Sequence, residues 1–195
     1  MIWIKICGLT TREAVDAAVA AGADAIGFVF APSKRQVTAA QAAALAQDVP
    51  ARVTRVAVMQ HPSQALVDEV CDIFRPDVLQ TDAEDFASLR LPSELELLPV
   101  IRDGQEVDAS LPARILYEGR TSGAGTTADW TCARELARRT QLVLAGGLSA
   151  RNVADAIAAV RPFGVDVSSG VESAPGKKDI AKIDAFIRAA RAASR

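Results

Sequence analysis

The chain is poor in the side chains that build metal centres and disulfide frameworks: one histidine and three cysteines among 195 residues. Cys7, Cys71 and Cys132 are an odd number at irregular spacing, which argues against a disulfide-stapled fold and for a reducing compartment. With His61 as the only imidazole, no group of residues has zinc-ligand spacing, and no metal is expected. There is no run of about 18 uninterrupted apolar residues; Asp16 and Asp24 break the most apolar part of the first thirty. The opening MIWIKICG lacks the basic and long apolar regions of a secretory signal. Excess charge of one sign is also missing, with 22 Lys and Arg against 24 Asp and Glu. Neither nucleic acid nor an anionic membrane is therefore expected as a partner. These absences leave a soluble, cytoplasmic protein of ordinary globular composition, half of it hydrophobic, long enough to bury one full core as a single domain over residues 1–195.

What is present is an alternation. Strand-like runs at Ile2–Cys7, Ala25–Phe30, Arg52–Met59, Asp77–Gln80, Glu94–Ile101, Arg114–Glu118, Leu142–Ala145 and Gly164–Ser168 are separated by helical patterns. The helices are expected near 11–21, 38–47, 62–74, 83–90, 130–139, 149–160 and 179–193, with Thr11, Pro62-Ser63 and Ser149 as opening signals. Strands alternating with helices imply a parallel sheet. Eight units in 195 residues leave roughly 24 residues each, the small end of the (β/α)8 TIM-barrel range. Only Arg102–Pro112 separates the fifth and sixth strands, so helix 5 should be short or absent. An open doubly wound sheet of five or six strands is the rival, and eight strand candidates are too many for it.

Strand parity indicates where chemistry would sit. In Ile2–Cys7 the three isoleucines share one face while Trp3, Lys5 and Cys7 share the other. Phe163, Val165 and Val167 alternate in the same way with Gly164, Asp166 and Ser168, and Ile115 and Tyr117 with Arg114, Leu116 and Glu118. The polar faces should look into the barrel and end at its C-terminal mouth, where barrel enzymes keep their active sites. Strands 1 and 8 are neighbours in a closed barrel, so Lys5 and Asp166 could pair inside.

Four features can carry chemistry. Cys7 ends strand 1, with Gly8 to turn the chain and Lys5 about 7 Å back on the same face, where an ammonium would favour thiolate; the bland alternative is a buried structural thiol. Glu118 ends strand 6 before Gly119 and the loop Ser122-Gly123-Ala124-Gly125, and a carboxylate there can serve as general acid or base or be an ordinary loop acid. Gly146-Gly147 after strand 7 and Ser168-Ser169-Gly170 after strand 8 occupy the recurrent phosphate position of this fold, unless they are plain glycine turns. Ser33-Lys34-Arg35 follows strand 2, and Arg35 could clamp a carboxylate. His61, beside Pro62, reads as a surface loop residue.

Together these segments resemble the phosphoribosylanthranilate isomerase family from end to end. The matching stretches are KICGLT (Lys5–Thr10), GADAIGFVF (Gly22–Phe30), SKR (Ser33–Arg35), SGAGTTADW (Ser122–Trp130), LAGGL (Leu144–Leu148) and RPFGVDVSSGVESAPGKKD (Arg161–Asp179). The resemblance implies an isomerase of tryptophan biosynthesis that performs an Amadori rearrangement on a phosphorylated aminoaldose without metal or organic cofactor. It implies Cys7 as general base, Glu118 as general acid, Arg35 on the anthranilate carboxylate, and Asp166 as a further substrate-binding residue. Gly146, Gly147, Ser168, Ser169 and Gly170 would hold the phosphate. The partner is then a small phosphosugar, and the chain a monomer or homodimer. Two positions depart from the family pattern: Glu118 stands where an aspartate is usual, and Gln80-Thr81-Asp82-Ala83 replaces Gln-Leu-His-Gly, putting Asp82 in the histidine's place. A histidine-pathway isomerase or a ribulose-phosphate epimerase would show Asp at position 7 or metal-binding histidines. A non-catalytic relative would keep the phosphate loops with a broken acid–base pair.

Overall fold

The computed structural model describes residues 1–105, 110–119 and 128–194. Eight parallel strands close into a barrel: β1 (Trp3–Cys7), β2 (Ala25–Val29), β3 (Thr54–Val58), β4 (Val78–Asp82), β5 (Glu96–Arg102), β6 (Arg114–Glu118), β7 (Gln141–Leu144) and β8 (Gly164–Val167). Closure is made by β1 against β8, with Lys5 opposite Asp166, the register the parity argument needs. The open-sheet alternative is thereby excluded.

Helices α1 (Arg12–Ala21), α2 (Ala39–Ala46), α3 (Gln64–Ile73), α4 (Trp130–Ala137), α5 (Val153–Val160) and α6 (Ile180–Ala193) cover the outside. Side-chain caps start most of them: Thr11 accepts from Ala14 N, Ser63 from Leu66 N, Asp129 from Thr131 N, and Asp179 from Lys182 N, while Thr38 and Gln41 form a capping box. Each such cap stabilises its helix by about 1 kcal/mol. The helical pattern expected at 83–90 contracts to a 3-10 turn, Ala83–Ala87, because Ser88 N and Oγ both donate to Asp85 O and close the segment. Between β5 and β6 the described residues contain no helix. A short hairpin after β8, β9 (Glu172–Ala174) with β10 (Lys177–Lys178), was not anticipated.

Two apolar compartments follow from the alternation along each strand. Ile2, Ile4, Ile6, Ile26, Phe28, Ile115 and Val165 pack under the helices, where Phe28 meets Phe74 edge-on at 5.2 Å. Ala25, Val56, Val78, Leu98, Val100, Leu116, Val143 and Ala145 fill the barrel interior. Phe163 breaks the expected parity. Lying just before β8, it turns inward onto Trp3, and the Arg114 guanidinium sits 4.8 Å from its ring centre. These three side chains plug the N-terminal end, which leaves the polar inward positions for the other mouth.

Candidate active site

At the C-terminal mouth a cavity of about 240 Å³ is lined by Cys7, Arg35, Gln80, Glu118, Asp166 and Ser168, among others. The strand tips that parity singled out thus face one space. Lys5 and Cys7 fit there because β2 carries Gly27 opposite Cys7: a Cβ at that position would come within 3.1 Å of both the Cys7 sulfur and Lys5 Cε.

Lys5 is fully buried and its Nζ lies 2.8 Å from Asp166 Oδ1. Burial alone would push the ammonium towards its neutral form, but Asp166, and then Cys7, outweigh it and hold its pKa above the ordinary value. The expectation that Lys5 would make Cys7 a thiolate is corrected by the same pair. Burial pushes the Cys7 thiol up, Lys5 pulls it down, Asp166 pushes it up again, and the net direction is upward. An ammonium already neutralised by a carboxylate is a weak activator.

Arg35 crosses the mouth from the loop after β2, close over Gly8, where a Cβ would lie 2.5 Å from Arg35 Cδ. Its fork is engaged by Glu172 at the start of β9, Nε to Oε1 at 2.7 Å and Nη2 to Oε2 at 2.9 Å. Lys178 of β10, 1 % exposed at its side chain, donates to the same carboxylate at 2.9 Å and to Ser168 O at 2.9 Å. Burial works against the Glu172 carboxylate, yet hydrogen bonds from Arg35 and Lys178 win and hold its pKa down at about 2. The hairpin is therefore a bracket that ties Arg35 to the β8 loop.

Across the cavity, Glu118 Oε1 lies 3.2 Å from Arg102 Nε, and Arg102 Nη1 donates to the buried Asp82. His61 is exposed, as expected, but it is not an idle loop residue. Its Nδ1 is 2.9 Å from Asp85 and its Nε2 is 3.4 Å from Asp82 Oδ2, which hold the imidazolium above its usual pKa, with the Asp85 hydrogen bond as the main cause. His61, Asp82 and Asp85 are, among the described residues, the one group with metal-like spacing. Both ring nitrogens already face carboxylates, and Arg102 occupies Asp82, so a cation there would displace three existing pairings.

The two proposed anion loops touch. A Cβ on Gly170 would meet Leu148 O at 1.9 Å, so only glycine allows the β8 loop to lie on the β7 loop. Gly146 and Gly147 both have positive φ, 85° and 62°, which favours glycine. Ser149 does not cap the helix behind them; α5 starts at Val153, and its N-cap residue Asn152 makes no capping bond. The Asn152 side chain instead binds Ser149 N and Gly147 O, bracing the glycine loop. A helix N-terminus without a side-chain cap beside such a loop is suited to an anion. Of the five residues assigned to phosphate, Ser168 also lines the cavity. The loop Ser122–Gly125 lies outside the described residues.

The family model for N-(5'-phosphoribosyl)anthranilate isomerase matches residues 4–189. This chain belongs to the phosphoribosylanthranilate isomerase family. It is 43% identical to the N-(5'-phosphoribosyl)anthranilate isomerase of Roseiflexus castenholzii, covering 98% of this chain and 99% of the relative. It is similar to the solved isomerase of Thermus thermophilus, with a TM-score of 0.86 at 28% identity and full coverage of both chains. Another isomerase structure, bound to reduced 1-(o-carboxyphenylamino)-1-deoxyribulose 5-phosphate, matches at 31% identity with a TM-score of 0.79, covering 98% of this chain and all of the other.

Sequence reasoning missed Lys178 and Glu172, although both lie in the matching strand 8 motif, and it missed Arg102. It also passed over Gln80, which is buried in the cavity wall with its Oε1 unpartnered. An inward-parity amide two residues before the strand tip was the available signal.

Proposed function

We propose that the protein converts N-(5-phosphoribosyl)anthranilate into 1-(2-carboxyphenylamino)-1-deoxyribulose 5-phosphate, with Glu118 as general acid and Cys7 as general base. The observation that carries this reading is the placement of both side chains on one cavity together with Arg35 and Ser168. Glu118 gives a proton to the ribose ring oxygen; the C1–O bond breaks, and the anthranilate nitrogen pair forms a protonated Schiff base. The Cys7 thiolate then takes the C2 proton, and the electrons of that bond move to give the enolamine. Loss of the C2 hydroxyl proton and protonation at C1 complete the aminoketose, so atoms and charge balance with no outside reagent. Arg35 meets the anthranilate carboxylate with the Nη1 side of its fork, the other side being fixed by Glu172. The Gly146-Gly147 and Ser168–Gly170 loops take the phosphate through backbone N–H groups and Ser168 and Ser169, with Lys178 beside them. Asp166, on the wall next to Cys7, keeps Lys5 charged and faces the sugar.

A continuous assay with freshly prepared phosphoribosylanthranilate tests the reading. Purified protein should discharge the anthranilate-type fluorescence, and Glu118→Gln should lose most of that rate. Protein that leaves the fluorescence unchanged would overturn it.

A further inference from the structure

We infer that Arg102, anchored on Asp82, is a positioning residue that aims the Glu118 carboxylate into the cavity. The inference rests on the reading of Glu118 as the general acid. The glutamate side chain has several rotatable bonds, so the carboxylate has many rotamers to lose before it sits over a ring oxygen. Something must select among them, and the fold supplies a second strand tip to do it.

Arg102 and Glu118 are direct partners in the β5–β6 register, both at the C-terminal mouth. The guanidinium is shared: Nε faces Glu118 Oε1 at 3.2 Å, while Nη1 donates to Asp82 Oδ1. Its own backbone is pinned as well, because Arg102 N donates to Gln105 Oε1 at 2.7 Å. Asp82 is 1 % exposed, and a carboxylate buried that deeply needs a cation. Asp82 therefore fixes where the guanidinium lies, and a planar guanidinium with a fixed anchor presents its remaining N–H groups in a fixed direction. On the far side, Asp82 Oδ2 lies 3.4 Å from His61 Nε2 without a hydrogen bond, and His61 is itself held by Asp85. His61, Asp82, Arg102 and Glu118 thus form one chain of charged groups from the β3 loop to the tip of β6.

The test is a double-mutant cycle with kcat and KM read separately. Arg102→Met/Asp82→Asn removes both partners at once and avoids a stranded buried charge, so it should fold. It should lower kcat by roughly ten- to a hundredfold, the scale of a misplaced reacting group, with KM within about threefold, since Arg102 is given no role in binding. Arg102→Lys should recover part of the loss only where Asp82 is present. In a Glu118→Gln background the same pair of substitutions should have almost no further effect, because no acid remains to be aimed. Wild-type kcat in Arg102→Met/Asp82→Asn, or an equal loss in both backgrounds, would overturn the positioning role while leaving the acid reading in place. A Glu118→Gln enzyme with full kcat would remove the acid reading itself, and the positioning role with it.

Discussion

The two sides of the mouth are built differently. The side formed by β8, β1 and β2 holds Cys7 in a dry setting: Lys5 against Asp166, and Arg35 and Lys178 against Glu172, with Gly8 and Gly27 making the room. The side formed by β4, β5 and β6 carries Glu118 on a more open network reaching from His61 through Asp82 and Arg102. A base that must be buried needs its surroundings fixed by packing, and glycines at close approaches are hard to replace. A carboxylate at the rim can be held by exchangeable charge pairs.

The comparison can be broken most decisively on the Cys7 side. Cys7→Ala should lower kcat by roughly 10²–10⁴-fold, the usual contribution of a proton-transfer group, with KM little changed; a loss below about tenfold in steady-state kinetics would exclude Cys7 as base. Next in size, Asp166→Ala should destabilise the fold by about 3–5 kcal/mol, because it leaves the Lys5 ammonium buried and unpaired. Denaturant titration checks this, and the paired change Lys5→Met/Asp166→Leu should be milder than Asp166→Ala alone.

Smaller effects sharpen the contrast through pH. The Cys7 thiol is held above the ordinary cysteine value of 9.0, so the thiolate fraction rises throughout the neutral range. The rate of Cys7 alkylation by iodoacetamide, mapped by mass spectrometry, should therefore climb through pH 8 and 9, and a rate that levels off near pH 7 would mean that the thiol is activated after all. The smallest effect belongs to His61. Its imidazolium is held above the usual 6.5, so whatever stability it contributes is present below about pH 6.5 and lost as pH rises through the folded value. His61→Ala should therefore reduce stability slightly at pH 5.5 and hardly at all at pH 9, read as the difference between two melting curves.

Much of the Cys7 side was legible in the sequence. Period-two alternation placed Lys5, Cys7, Asp166 and Ser168 on one face, and barrel closure then brought Lys5 to Asp166. The pairing of Lys5 with Asp166 was foreseen, but not its consequence: an ammonium neutralised by a carboxylate does not outweigh the burial of Cys7. The Arg35–Glu172 pair joins residues 137 positions apart, and no local signal predicts such a pairing. Phe163 was misplaced because parity holds only within the paired strand, and it lies one residue outside. The helix expected at 83–90 failed because Asp85 uses its side chain on His61 and Thr81 and its carbonyl on Ser88. These tertiary and local bonds outweigh helix propensity. On the Glu118 side the sequence located the carboxylate but not Arg102, whose placement depends on the buried Asp82.

The most direct measurement is the isotope effect on kcat with C2-deuterated phosphoribosylanthranilate in Cys7→Ser and Glu118→Gln. If Cys7 takes the C2 proton and Glu118 opens the ring, the effect should grow in Cys7→Ser, where proton removal becomes limiting, and shrink towards unity in Glu118→Gln, where ring opening does. The same isotope effect in both variants would contradict this division of labour between the two sides of the cavity.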